Sequence, residues 1–99
     1  MSKLQEAYDL IKDENRWCKG SLARDADGCS VSYNDENATR WCAYGALLKV
    51  YENDQVGLCA VIKRLDIVAF KYFDTYASFV NDIKGHKAIL KVYEYAIGN

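Results

Sequence analysis

The 99-residue sequence contains no proline, a single histidine and no long apolar run. The longest apolar stretch, residues 67–70, is far shorter than the roughly 20 residues that a membrane-spanning helix requires. The N-terminus alternates polar and apolar residues, which is not typical of a signal peptide. We therefore expect a cytoplasmic protein with no membrane association.

An excess of charge of either sign is also missing. The formal net charge is −1, and no block of like charges stands out. This balance excludes a strongly basic nucleic-acid-binding arm and an acidic mimic of nucleic acid, so nucleic acid is not indicated as a partner.

The four cysteines lack the spacing of metal ligands, because no two of them form a C-x-x-C pair. With His86 as the single imidazole, the pattern gives no support to a zinc site. Without a signal peptide, disulfides are not expected either. We predict no cofactor and no metal, with thiols that act mostly as small buried hydrophobes. The cysteines are Cys18, Cys29, Cys42 and Cys59.

Regularly spaced apolar residues predict the fold class. The chain is 51% hydrophobic, and its length predicts one domain over residues 1–99, with no linker or internal repeat. The spacing predicts a mainly α protein of four to five helices with one small β-hairpin, a single compact α+β domain.

The predicted helices span residues 3–14, 38–52 and 86–97, with Gly98 just beyond the last. Another helix begins after Asn53 or Asp54. Apolar spacing weakens in residues 66–80, which form either one helix or two with a break near Asp74-Thr75.

A turn signature, Asp25-Ala26-Asp27-Gly28, predicts the hairpin. Asp25 and Asp27 resemble the start of a calcium loop, but the later ligands of that loop are missing, so solvated turn aspartates are the favoured interpretation. In the central helix, Gly45 costs about 1 kcal/mol relative to alanine. Close approach of another element is its expected compensation.

Three segments resemble a known family: W-C-K-G-S-L-A-R-D-A-D-G at 17–28, A-T-R-W-C-A-Y-G-A-L at 38–47 and F-V-N-D at 79–82. They are similar to a small family of uncharacterised proteins from bacteria and their phages. The chain departs from it at Val80, where the family has tryptophan, and in the longer, more aromatic region 66–78. The resemblance implies a mostly helical domain with a hairpin, and no activity. The occurrence of the family in phages implies, by analogy, a protein that binds and blocks a protein complex of the host.

A cysteine-dependent hydrolase is the catalytic alternative. Cys42 would be the nucleophile and His86 the base, oriented by Asn81 or Asp82. However, the predicted helix places Cys42 more than a turn from its N-terminus, which weakens the dipole, and no oxyanion donor is identifiable. We therefore lean towards a protein that is not an enzyme.

Arg40 and Trp41 occupy the first turn of the predicted central helix, where an arginine opposes the dipole. We predict that Arg40 bridges the hairpin and the Asn81-Asp82 corner through Asp25 or Asp82. A solvated surface arginine is the competing interpretation.

Residues 68–80 hold more aromatic side chains than one small core readily absorbs. We predict that they contribute to a protein-binding or self-association surface. Tyrosine is enriched at such interfaces because its ring is apolar and its hydroxyl can stay in contact with water. The aromatic residues are Tyr72, Phe73, Tyr76 and Phe79.

The predicted function is a non-catalytic protein-binding module, in the form of a phage-type inhibitor of a host defence complex such as an anti-CRISPR protein. We expect a protein partner, with homodimerisation as another form of association. The alternatives are the Cys42/His86 hydrolase and a small-ligand pocket lined by Trp17, Trp41 and Arg40. The predicted binding residues are Arg40, Trp41, Asp25, Asp82, Tyr72, Tyr76 and Phe79.

Overall fold

A computed structural model describes residues 2–98; Met1 and Asn99, the ends of the predicted domain, lie outside the described residues. Five α-helices and one antiparallel three-stranded sheet make up this described part, which confirms the predicted class. The helices are α1 (Lys3–Ile11), α2 (Ala43–Val50), α3 (Gln55–Phe73), α4 (Ala77–Phe79) and α5 (His86–Ile97). The strands are β1 (Ala23–Asp25), β2 (Ser30–Val31) and β3 (Ala38–Trp41).

Helix α1 begins where the sequence predicts, because the Ser2 hydroxyl accepts a hydrogen bond from the backbone N–H of Gln5. The predicted end at residue 14 is wrong, since the helix ends at Ile11. The side chain of Asp13 accepts from the N–H of Asn15 and begins a separate 3₁₀ turn over residues 14–16.

The hairpin is confirmed, with β1 and β2 joined through the predicted turn and Gly28 in a left-handed conformation (φ 83°). A third strand, β3, pairs with the other edge of β1, and Ala23 lies opposite Trp41. The prediction of helix from residue 38 is therefore wrong. Residues 38–41 are extended because β1 supplies them with backbone partners.

Helix α2 begins at Ala43, capped by Cys42, whose Sγ accepts from the N–H of Gly45 at 3.3 Å. The predicted close approach at Gly45 is confirmed. A Cβ there would stand 2.8 Å from the carbonyl carbon of Leu22 and closer still to its oxygen. Glycine at this position therefore lets the start of the hairpin lie against the central helix.

Asp54 caps α3, which confirms one of the two predicted caps. Asp74 ends this helix in a left-handed conformation (φ 58°). The open alternative for residues 66–80 is thus resolved as two helices with a break after residue 73. Helix α4 continues into a π-helical segment, Val80–Lys84, and α5 has its predicted bounds.

The core lies between the helices and one face of the sheet. Helix α1 packs on α2 and α5, and α3 packs on α5. Tyr93 is fully buried at the centre, and its hydroxyl donates to the carbonyl of Ala43 at 2.7 Å. None of the described helices combines the length and apolar character needed to cross a bilayer.

Candidate functional site

Asn81 is the buried polar residue that joins the three motif segments. Its side-chain oxygen accepts from the indole Nε1 of Trp17 at 2.7 Å and from the N–H of Ala43 at 3.1 Å. Its amide nitrogen donates to the carbonyl of Cys18 at 3.2 Å and to Asp82 at 2.9 Å. We call these five residues the Asn81 junction. Because all four bonds are made inside the protein, the side chain of Asn81 is satisfied without a ligand.

Asp82 extends the junction to the loop before the hairpin. Its Oδ1 also accepts from the N–H of Gly20 at 3.1 Å. Gly20 has a left-handed backbone (φ 77°) that favours glycine. The contact between the loop before the hairpin and the 81–82 corner is therefore made by Asn81 and Asp82 themselves.

The predicted bridge by Arg40 is wrong. The Arg40 side chain is exposed, and within residues 2–98 it has no hydrogen bond or salt bridge. It lies on β3 opposite Arg24, whose guanidinium instead donates to the carbonyls of Gly28 and Lys19. Two like charges on neighbouring strands repel each other. Arg40 therefore stays solvated.

Trp41 and Asp25 are held in structural contacts. The indole of Trp41 is buried, and its Nε1 donates to the carbonyl of Tyr33 at 2.9 Å. The carboxylate of Asp25 accepts from the N–H groups of Asp27 and Cys29, which stabilises the hairpin turn. Trp41 is thus part of the core, whereas Asp25 is half-exposed at the turn.

The proposed catalytic pair is also held in separate contacts. Burial raises the pKa of the Cys42 thiol, although the hydrogen bond from Gly45 lowers it. A raised pKa is the opposite of what a cysteine nucleophile requires. His86 contacts the carbonyl of Ile11 through Nε2 at 2.7 Å, and its ring packs beside Trp17. Among the described residues, no hydrogen bond joins the Cys42 thiol to the His86 ring.

A small pocket of about 240 Å³ lies between the loop before the hairpin, the N-terminus of α2 and the segment from α4 to Asp82. Its lining residues are Ser21, Leu22, Cys42, Tyr44, Ser78, Asn81 and Asp82. It is not the pocket predicted beside Trp17, Trp41 and Arg40. Trp17 and Arg40 line a separate pocket of about 440 Å³ together with Arg24. Trp41 does not line that pocket and is buried in the core. Burial and a hydrogen bond to Asp66 raise the pKa of Tyr44, so its phenol stays protonated.

The predicted aromatic residues of region 68–80 lie at the surface. Tyr72, Tyr76 and Phe79 are 47%, 52% and 51% exposed. Phe70, also exposed, packs edge-on against Tyr76 with ring centroids 4.8 Å apart, and Tyr76 lies beside Phe79. We define Phe70, Tyr72, Tyr76 and Phe79 as the aromatic surface. Phe73, the fourth predicted aromatic residue, packs partly against the core.

Sequence reasoning missed one aromatic residue next to this surface. Tyr95 of α5 stacks on Tyr72 with centroids 4.2 Å apart and an interplanar angle of 10°. Tyr95 does not belong to the predicted inward face of α5. The helical spacing could therefore have indicated that its ring points outward. Phe70 lay inside the predicted region but was not singled out.

These features define a small α+β domain with a fully bonded internal polar junction and an exposed aromatic surface. The chain belongs to the family of unknown function DUF6197, whose model matches residues 2–98. Searches of curated proteins and of solved structures found no match.

Proposed function

We propose that this protein is a non-catalytic protein-binding domain that contacts its partner through the aromatic surface. The observation that carries the proposal is the exposure of Phe70, Tyr76 and Phe79 as one contiguous group of rings. Exposed apolar groups that cluster are typical of interaction sites, whereas single exposed hydrophobic residues are ordinary.

The aromatic rings are suited to binding because they are held in place before a partner arrives. Tyr72 is stacked on Tyr95, and Phe70 is packed against Tyr76. Aromatic side chains have few rotatable bonds, and prior packing lowers the entropy lost when they are fixed in an interface. Tyrosine also keeps its hydroxyl for a polar contact at the edge.

We propose further that binding blocks the partner, in the manner of a phage-type inhibitor of a host defence complex in the cytoplasm. Inhibition by occupation of a surface requires no catalytic group. It is compatible with a Cys42 thiol of raised pKa and with a His86 ring nitrogen that contacts Ile11. The support for this form of the proposal is the motif resemblance to phage and bacterial proteins.

Affinity capture from host extract tests the proposal. The wild-type chain is compared with the double variant Phe70→Ser/Phe79→Ser and with a control, Leu22→Ser/Ile83→Ser, which also replaces two exposed hydrophobic residues. We expect a protein retained by the wild type and the control and lost from the double variant. Equal recovery by all three, or no protein above bare resin, would contradict the proposal.

A second candidate, a small-ligand-binding protein, is favoured by one observation. Ser21, Ser78 and Asp82 are among the residues that line the pocket of about 240 Å³. Such a volume suits a ligand smaller than a drug-sized molecule. Thermal-shift screening of small polar metabolites would support this candidate if a hit lost its effect in Ser78→Leu, which fills the pocket.

A further inference from the structure

An apolar groove runs along α3, next to the aromatic surface. It is an open depression with a volume of about 720 Å³, and the residues that line it come from α1, the end of α2, α3 and the end of α5. Its principal apolar residues are Leu4, Val61, Ile67, Val68, Tyr95 and Ala96. Ile67 is 70% exposed and lies three residues before Phe70, so the groove and the aromatic surface meet on one face of the helix.

The outward face of α3 has the spacing of a helix that pairs with another helix. The face consists of Val56, Ala60, Lys63, Ile67 and Phe70, all of them exposed. Their intervals alternate between four and three residues, which is the repeat of a coiled-coil seam. At about 1.5 Å per residue, α3 offers a contact length of about 28 Å.

The charged side chains that line the groove are basic, and the carboxylate of Asp54 at the start of α3 is paired with Lys3. Lys63 and Arg64 are the charged residues that line the groove, and no carboxylate lines it in the described chain. The Nε of Arg64 donates to the carbonyl of Ala96, which holds the guanidinium at the rim. Asp66, the one acidic residue of α3, is turned away and accepts from the hydroxyl of Tyr44 and the N–H of Ala77.

This charge distribution disfavours a second copy as the occupant. An antiparallel two-fold pairing of α3 that sets Val56 opposite Phe70 is centred on residue 63. Lys63 would then face its own symmetry mate, and like charges at an interface oppose association. Carboxylates placed opposite Lys63 and Arg64 would instead complement both the apolar seam and its basic rim.

We propose that the groove binds an amphipathic helix of a partner protein, with aliphatic side chains on one face and Asp or Glu along both of its sides. The inference rests on the proposed protein-binding function and names the chemistry of the partner. A helix fits because the walls of the groove are helical, and helix-in-groove recognition uses anchors at the spacing found here.

Binding of synthetic peptides, followed by fluorescence anisotropy, tests the inference with the full chain. The first peptide has three heptads, about 21 residues, with leucine at the seam and glutamate beside it. The second replaces each glutamate with lysine. We expect the acidic peptide to bind at least about tenfold more tightly than the basic one, with an affinity that falls as salt is added.

Two variants and two matched controls locate the binding. Lys63→Glu and Ile67→Ser should each weaken the acidic peptide by about tenfold or more. Lys87→Glu makes the same charge change outside the groove, and Ile83→Ser replaces an isoleucine that is 71% exposed, so both should bind as the wild type does. Circular dichroism confirms that each variant is folded.

Four results would overturn the inference. The first three are that the acidic peptide does not bind, that both peptides bind equally well, and that the control variants lose as much affinity for the acidic peptide as the groove variants do. The fourth is that vesicles of phosphatidylcholine with phosphatidylglycerol occupy the groove. A wild-type dimer in sedimentation that Ile67→Ser dissociates would assign the face to a second copy. If the peptides fail while capture still depends on Phe70 and Phe79, the inference is wrong and the proposed function stands.

Discussion

Replacement of Asn81 with alanine tests whether the motif segments are held together from inside. Trp17 Nε1, the N–H of Ala43 and the carbonyl of Cys18 each lose a partner in this variant. Each buried group left without a partner costs about 1–3 kcal/mol. Because water reaches part of the space that the side chain vacates, we expect a total loss of about 3–5 kcal/mol in the free energy of unfolding.

Urea and thermal unfolding measure this loss. For a domain of this size, 1 kcal/mol corresponds to about 4–8 °C, so Asn81→Ala should lower the Tm by roughly 12–40 °C. Asn34→Ala, at an exposed position, serves as the control and should change stability by less than about 0.5 kcal/mol. A loss below about 1 kcal/mol for Asn81→Ala would refute the reasoning, because three buried groups without partners should destabilise the fold by more than that.

The isosteric change Asn81→Asp separates charge from shape. The new carboxyl lies against Asp82, where the amide of Asn81 now donates at 2.9 Å. Repulsion between the two carboxylates raises the folded-state pKa of the new group above its unfolded value of about 3.9. Its protonated form is therefore favoured in the folded state, and stability is lost as pH rises through the raised pKa. The stability deficit of this variant should shrink between pH 8 and pH 5.

Three further predictions follow from the caps and contacts. Gly45→Ala should lose at least about 2 kcal/mol in unfolding free energy, because its Cβ meets the backbone of Leu22; a stabilised variant would contradict this contact. Two thiols should react rapidly with a disulfide reagent at pH 8 and two slowly, since burial raises the pKa of Cys42 and brings that of Cys18 to about 11; four equal rates would contradict it. The rapid thiols are Cys29 and Cys59. The pKa of Asp54 is lowered by the hydrogen bonds from Gly57 and Lys3, so its contribution is present above pH 3.8 and lost as pH falls through the lowered pKa. Asp54→Asn should remove that acid dependence in an unfolding titration.

The elements that sequence reasoning predicted well are those whose signals are local. Helix α5 has four inward residues at regular spacing and a glycine just after its end, so its bounds of 86–97 could be predicted. The hairpin turn depends on Asp25 and Gly28 within four residues of each other. Gly45 was predicted to meet a neighbour because glycine inside a helix is unfavourable without a packing reason.

Features that depend on distant partners could not be predicted. Strand β3 exists because β1 pairs with it, and apolar spacing alone extended the central helix over it. Cys42 was an unexpected cap because serine, threonine, aspartate and asparagine usually occupy that position. The junction at Asn81 joins residues as far as 64 positions apart, so the sequence could not show which groups its side chain contacts.

Photo-crosslinking from position 76 is the measurement that tests the protein-binding surface most directly. A benzoylphenylalanine replaces Tyr76, which is 52% exposed, and in a control it replaces the exposed Glu36 outside the aromatic surface. Each chain is irradiated in host cells, and adducts are identified by mass. The account predicts a discrete protein adduct from position 76 and none from position 36. No adduct from position 76, or the same adducts from both positions, would contradict it.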